Sequence, residues 1–177
     1  NPALTIYPHS KGKISVVFSK DDRRRLMEAA TEIADRASKV ILEIYSTDFE
    51  VRHKDDASPI TDADELAENL ILAGLLDLLP GVAAIGEEAT SREKIQNLIG
   101  PRFWLVDPID GTKEFLQRNG EFTVNIALID GGVPVIGVVM APAMNRAFRA
   151  CGPGTAELRE EAGAWTSISV RNVPAEG

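Results

Sequence analysis

The chain carries one cysteine, Cys151, and two histidines, His9 and His53, far apart in sequence. A single cysteine excludes an internal disulfide and suits a reducing compartment. So few and so scattered soft ligands exclude a zinc centre. No apolar run approaches the roughly 18 residues that span a bilayer, and the amino terminus lacks the basic and apolar regions of a signal peptide. Neither a membrane span nor export is expected, and the location implied is cytoplasmic. Positive charge is also short, with 19 Lys and Arg against 27 Asp and Glu for a net charge of −8. An acidic surface repels polyanions, which excludes a general nucleic-acid or anionic-membrane binder. Repeats, low-complexity linkers and Gly-rich nucleotide loops are missing as well. What remains is a 177-residue chain, 44% hydrophobic, with material for one core.

The densest chemistry lies in Trp104-Leu105-Val106-Asp107-Pro108-Ile109-Asp110-Gly111-Thr112. Phe103 to Val106 reads as a short buried strand that stops at Asp107, because Asp-Pro and Asp-Gly are strong turn formers. Across such a turn the Asp107 and Asp110 carboxylates can converge. Pro108 donates no hydrogen bond and leaves the Ile109 carbonyl available at the same point. Carboxylate and carbonyl oxygens suit a hard cation such as Mg²⁺. Gly111 to Gln117 can start a helix whose first N–H groups would hold a phosphate oxygen.

Two upstream segments add donors. Val82 to Ile85 reads as another strand, ending in Gly86-Glu87-Glu88, and Ser91 to Ile99 has helical composition. Strand, helix and strand predict a right-handed parallel crossover, which brings Glu87 to the sheet edge that carries Asp107 and Asp110. Three carboxylates there repel one another unless a cation sits among them. Glu88 reads as solvated loop. The second segment, Lys54 to Asp64, precedes a helix from about Asp62 to Leu79 bearing Leu66, Leu70, Ala73 and Leu79, and stopped by Pro80-Gly81. Thr61 can cap it, and Asp62 and Asp64 oppose its dipole for roughly 0.3–1 kcal/mol each. That accounts for Asp62. For Asp64 a second role competes: with the Thr112 hydroxyl it can orient and deprotonate a water.

Elsewhere, Asp21 to Ser46 predicts a helix with an apolar stripe at Leu26, Ala30, Ile33, Ala37, Val40, Ile41 and Ile44. Its Arg23, Arg24, Glu28, Asp35 and Arg36 face is expected to be solvated. The two helices should pack together on one face of the sheet. Phe122 to Ile129 and Val133 to Ala141 flank Asp130-Gly131-Gly132 as a hairpin, and Arg146 to Ala150 adds a third antiparallel strand. Asn125 reads as structural, with a satisfied polar group near the site as the alternative. Glu157 to Glu161 reads as solvated surface and Ser167 to Val170 as one more strand.

Taken together, K-x-D-x-S-P-x-T-x-A-D, G-E-E and W-L-V-D-P-I-D-G-T resemble the inositol monophosphatase superfamily of Mg²⁺-dependent, lithium-sensitive phosphatases. Gly111 to Phe115 and Asn119 to Ile129 are similar to its CysQ branch, the 3'(2'),5'-bisphosphate nucleotidases of sulfur metabolism. The resemblance implies an α+β fold, a layered α/β sandwich with two N-terminal helices on a mixed, largely antiparallel sheet. It implies Glu87, Asp107, Asp110 and the Ile109 carbonyl as metal ligands, and Asp64 with Thr112 as the catalytic pair. The amides of Gly111 and Thr112 become the phosphate cradle, with Glu87, Ile109 and Asp110 also lining the substrate site. Two or three Mg²⁺ ions, a small phosphorylated metabolite as partner and a homodimer are implied too. The reaction would be in-line attack by water on the 3'-phosphate of adenosine 3',5'-bisphosphate. Inositol or sugar phosphates are the alternative substrates, and a non-catalytic interaction module is the alternative of another class. Residues 1 to 20 match nothing in the family and receive no function. Residues 21 to 177 are expected to be its N-terminal, metal-binding half. The C-terminal half, with a W-D-x-A type motif, is absent: Trp104 and Trp165 are followed by Leu and Thr.

Overall fold

The computed structural model describes residues 7–8, 14–15, 18–48, 51–53, 59–86 and 100–171. Helix α1 (Lys20–Tyr45) starts in a capping box. The Ser19 hydroxyl accepts the Asp22 N–H at 3.0 Å, and the Asp22 carboxylate accepts the Ser19 N–H at 3.1 Å. The Ser19 hydroxyl and N–H, and then Arg25, hold the Asp22 carboxyl below its ordinary range. Helix α2 (Asp62–Leu78) packs along α1. Its buried stripe is Ala63, Ala67, Ile71 and Leu75; of the residues named in the sequence reading, Leu79 is buried just past the helix and Leu70 packs against the core, whereas Leu66 and Ala73 lie outside it. Leu66 is in fact exposed. Small residues also let the two helices approach closely. A Cβ added to Gly74 would fall 3.1 Å from the Ile33 side chain.

Both helices lie on one seven-stranded sheet. Two short antiparallel pairs stand apart from it, β1 (Tyr7–Pro8) with β2 (Ile14–Ser15) and β3 (Val51–His53) with β4 (Pro59–Thr61). The large sheet contains β5 (Ala83–Ile85), β6 (Arg102–Asp110), β7 (Thr123–Asp130), β8 (Val133–Ala141), β9 (Arg146–Ala150), β10 (Glu157–Glu160) and β11 (Thr166–Ser167). Spatial order runs unbroken from β11 to β5, and only β5 with β6 is parallel. The mixed, largely antiparallel sheet and the parallel crossover both follow the sequence reading. The helix expected between those two strands lies outside the described residues, as do Lys54 to Ser58.

Trp104, Val106, Val124, Ile126, Leu128, Ile136 and Val138 project from the sheet into the core beneath α1 and α2. Alternation then turns Leu105, Asp107, Asn125, Ala127 and Val139 to the opposite face. Among the described residues no helix is long and apolar enough to cross a membrane.

Three expectations are corrected. Glu157 to Glu160 is strand β10, and Glu157 is buried. It accepts Arg149 Nε at 2.8 Å and Arg24 Nη2 at 3.0 Å, while Arg159 grips Asp35 through two bonds. The charged flank of α1 is therefore a seam with β10 and not simply solvated. Sequence separation hid the pairs with α1, since Arg24 and Glu157, and Asp35 and Arg159, stand more than a hundred residues apart. Strand β11 is only Thr166–Ser167, short of the predicted Ser167 to Val170.

Burial alone would raise the Glu157 pKa, but hydrogen bonds from Arg149 and Arg24 and their charges outweigh it and hold the carboxyl below its ordinary range. A carboxyl depressed on folding stabilises the protein above its unfolded pKa of about 4.3, and that stability is lost as pH falls through the folded value. Glu157→Gln is accordingly expected to lower stability by about 2 kcal/mol near neutrality. The gap between variant and wild type in thermal midpoint should shrink as pH drops from 6 to 3.

Candidate metal centre

Strand β6 does not stop at Asp107, as turn chemistry suggested, but runs on through Asp107-Pro108-Ile109-Asp110. The reason is a bulge. Asp107 stands opposite Asn125 and Asp110 opposite Thr123, so three residue steps on β6 match two on β7. In a regular strand, residues three apart point to opposite faces. The extra residue cancels that alternation and turns Asp110 to the face that already carries Asp107. Pro108 is tolerated here because a bulged residue owes no N–H to the ladder. Val106 and Ile109 stay in the core, 2% and 1% exposed, and fix the segment on either side.

Asn125 Nδ2 donates to Asp110 Oδ2 at 3.2 Å. The Thr112 hydroxyl donates to the Ile109 carbonyl at 3.3 Å, so that carbonyl faces the start of helix α3 (Thr112–Leu116). Asp64, in the first turn of α2, is buried. Helix α3 packs against β4, the strand that leads directly into α2.

Gly111 caps α3 at φ 97° with no side-chain cap, which leaves the first-turn N–H groups without a competing side-chain acceptor. Only glycine fits: its φ is left-handed, and an added Cβ would fall 2.9 Å from the Glu121 carbonyl oxygen. Gly111→Ala is expected to cost about 1–3 kcal/mol, read as a lower denaturant midpoint.

Aromatic packing holds this turn against the helices. Tyr45, Phe115 and Phe122 meet with ring centroids 5.0–5.1 Å apart. Arg118 donates to the Tyr45 and Thr47 carbonyls at the end of α1, satisfying acceptors that a helix C-terminus leaves open. Asn119 Oδ1 accepts the Glu121 N–H at 2.8 Å and shapes the return into β7.

Glu87, the third predicted carboxylate, lies outside the described residues. Its neighbour Gly86 ends β5 against α2, where an added Cβ would fall 2.2 Å from Glu68 Oε1. Glu68 was not singled out from the sequence. Its signal is position, four residues after Asp64 and hence on the same helix face. Among the described residues no group of three His, Cys, Asp or Glu comes together as a metal cage. The described share of the site is two carboxylates and one carbonyl.

A shallow cavity of about 210 Å³ opens beside them, lined by Leu105, Asp107, Asn125, Ala127, Gly137 and Val139. A larger cleft of about 430 Å³ runs between α1 and β10, past Asp35, Lys39, Arg146 and Arg159. Arg159 is bonded there to Asp35 and Arg146 to Glu160, whereas the smaller cavity has Asp107 on its wall.

The inositol monophosphatase family model matches residues 22–173. A 3'(2'),5'-bisphosphate nucleotidase CysQ from Escherichia coli strain K12 is 43% identical over 149 residues, covering 83% of this chain and 59% of the relative. The crystal structure of CysQ from Bacteroides thetaiotaomicron superposes with a TM-score of 0.63 at 33% identity, over 85% of this chain and 53% of that one. The extragenic suppressor protein suhB from Bartonella henselae gives a TM-score of 0.66 at 29% identity, over 77% and 52%. The chain thus spans between half and three fifths of the length of the relatives it matches.

Proposed function

This chain belongs to the inositol monophosphatase family, and we propose that it carries the metal-binding turn of a Mg²⁺-dependent phosphatase that removes the 3'-phosphate of adenosine 3',5'-bisphosphate. The observation that carries this reading is the β6 bulge, which turns Asp107 and Asp110 to one face. The donor set fits the ion: two carboxylates and the Ile109 carbonyl are all hard oxygens, with Glu87 proposed as the next. Bound there, Mg²⁺ supplies positive charge for phosphoryl oxygens and acidifies a coordinated water.

The remaining roles belong to side chains and amides of this chain. Asp64, buried at the start of α2, is the proposed base, and the Thr112 hydroxyl is the group that orients the attacking water between them. Gly111 lets the backbone approach the phosphate at the α3 N-terminus without a Cβ in the way. With a net charge of −8, the protein relies on the cation and these amides to attract an anionic substrate. The preference for the bisphosphate nucleotide over inositol phosphates rests on the 43% identity to the CysQ nucleotidase.

Phosphate release from adenosine 3',5'-bisphosphate and from inositol 1-phosphate tests the reading, using the chain alone and extended to the length of its relatives. The extended protein should hydrolyse the nucleotide faster, require Mg²⁺ and be inhibited by Li⁺. A preference for inositol 1-phosphate would move the substrate, and no turnover on either would reject the phosphatase reading.

A further inference from the structure

We propose that Asn125 is a positioning residue for the metal carboxylates, holding Asp110 on the face it shares with Asp107; this rests on the metal-centre reading above. Asn125 stands directly opposite Asp107 in the β6–β7 ladder, and its Nδ2 reaches Asp110 Oδ2 at 3.2 Å. It therefore bridges the two ends of the bulge, one by register and the other by hydrogen bond. The orientation of the amide follows from chemistry. A carboxylate only accepts, so the amide nitrogen is the atom turned toward Asp110.

Strand physics alone does not ask for asparagine. It is depleted in strands, and the surrounding surface is the apolar floor of Leu105, Ala127, Gly137 and Val139, where Val or Thr would serve a ladder better. The position suits a metal centre instead. Asp107 and Asp110 repel each other on one face, and a neutral donor steadies Asp110 without cancelling the negative charge that a cation requires. Lys or Arg would neutralise that charge and compete with the ion, while Asp would add a third repelling carboxylate. Of the two sequence readings of Asn125, the polar group near the site is proposed in place of the preferred structural one.

The test is Mn²⁺ binding to the 177-residue chain, followed by electron paramagnetic resonance, with thermal midpoints recorded with and without metal. Asn125→Leu keeps the size and removes the donor. It should weaken Mn²⁺ binding about tenfold, leave the metal-free midpoint within a degree or two of wild type, and reduce the midpoint rise on adding Mn²⁺. Asn125→Ala, which cannot clash, should do the same, and Asn125→Gln, which retains the donor, should recover part of the affinity. If the Leu and Ala variants bind Mn²⁺ as wild type while Asp107→Asn does not, the positioning role is overturned and the metal centre stands. If Asp107→Asn also binds as wild type, the metal centre itself fails, and the role of Asn125 with it.

Discussion

An Asp107→Asn variant is expected to lose divalent-cation binding and phosphate release together, with turnover down on the order of 10³-fold, yet to fold as well as wild type. The substitution keeps the shape of the side chain and removes its charge. A hard cation gains most from full negative charge on its oxygens, and a metal that serves as Lewis acid is worth several kcal/mol of barrier. Stability should not fall with activity. Asp107 and Asp110 share a face through the bulge, so in the absence of metal the neutral variant lowers the density of like charge there. Calorimetric Mg²⁺ titration, phosphate release and thermal unfolding of the same sample separate these effects. Turnover that survives while Mg²⁺ affinity is lost would break the link between the turn and catalysis.

Thr112→Ala should give the opposite split: cation binding retained within a factor of two or so, and turnover reduced about 10²-fold, the lower end of what a positioned proton-transfer group contributes. The hydroxyl now donates to the Ile109 carbonyl at 3.3 Å, a net contribution of about 1 kcal/mol to the turn. A purely structural role would therefore cost stability and little rate. Thr112→Ser, which keeps the hydroxyl, should keep most of the turnover. If Asp64 and Thr112 act as one unit, the double variant with Asp64→Asn should be barely slower than either single one. Additive losses would separate the pair.

Most of the frame was legible because the sequence spells it in local terms. The apolar stripe of α1 and the alternation in Thr123 to Leu128 each need only neighbours a few residues away. What the sequence hid was set by distant partners. Asp-Pro and Asp-Gly read as a strand end, whereas pairing of β6 with β7 carries the strand through them as a bulge. On α2, Leu66 is exposed although large, while Gly74 lies close against Ile33 of α1, a contact between helices that no local pattern shows. Glu157 reads as surface until folding brings Arg24 to it from 133 residues away. At the candidate site, Asp107, Ile109 and Asp110 are proposed from their chemistry, whereas the bulge that turns Asp107 and Asp110 to one face could not be read locally. Nor could the hydrogen bond from Asn125, since nothing local marks a strand asparagine as belonging to residues fifteen positions earlier.

The central claim is that oxygens gathered at the end of β6 hold a divalent cation, and crystals grown with Mn²⁺ test it by anomalous scattering. The account predicts a peak at about the 2.1 Å of a hard-cation contact from the Asp107 and Asp110 carboxylates and the Ile109 carbonyl, with Glu87 completing the shell. Ordered crystals that bind Mn²⁺ elsewhere, with the Asp107 and Asp110 carboxylates turned to opposite faces of the sheet, would contradict it.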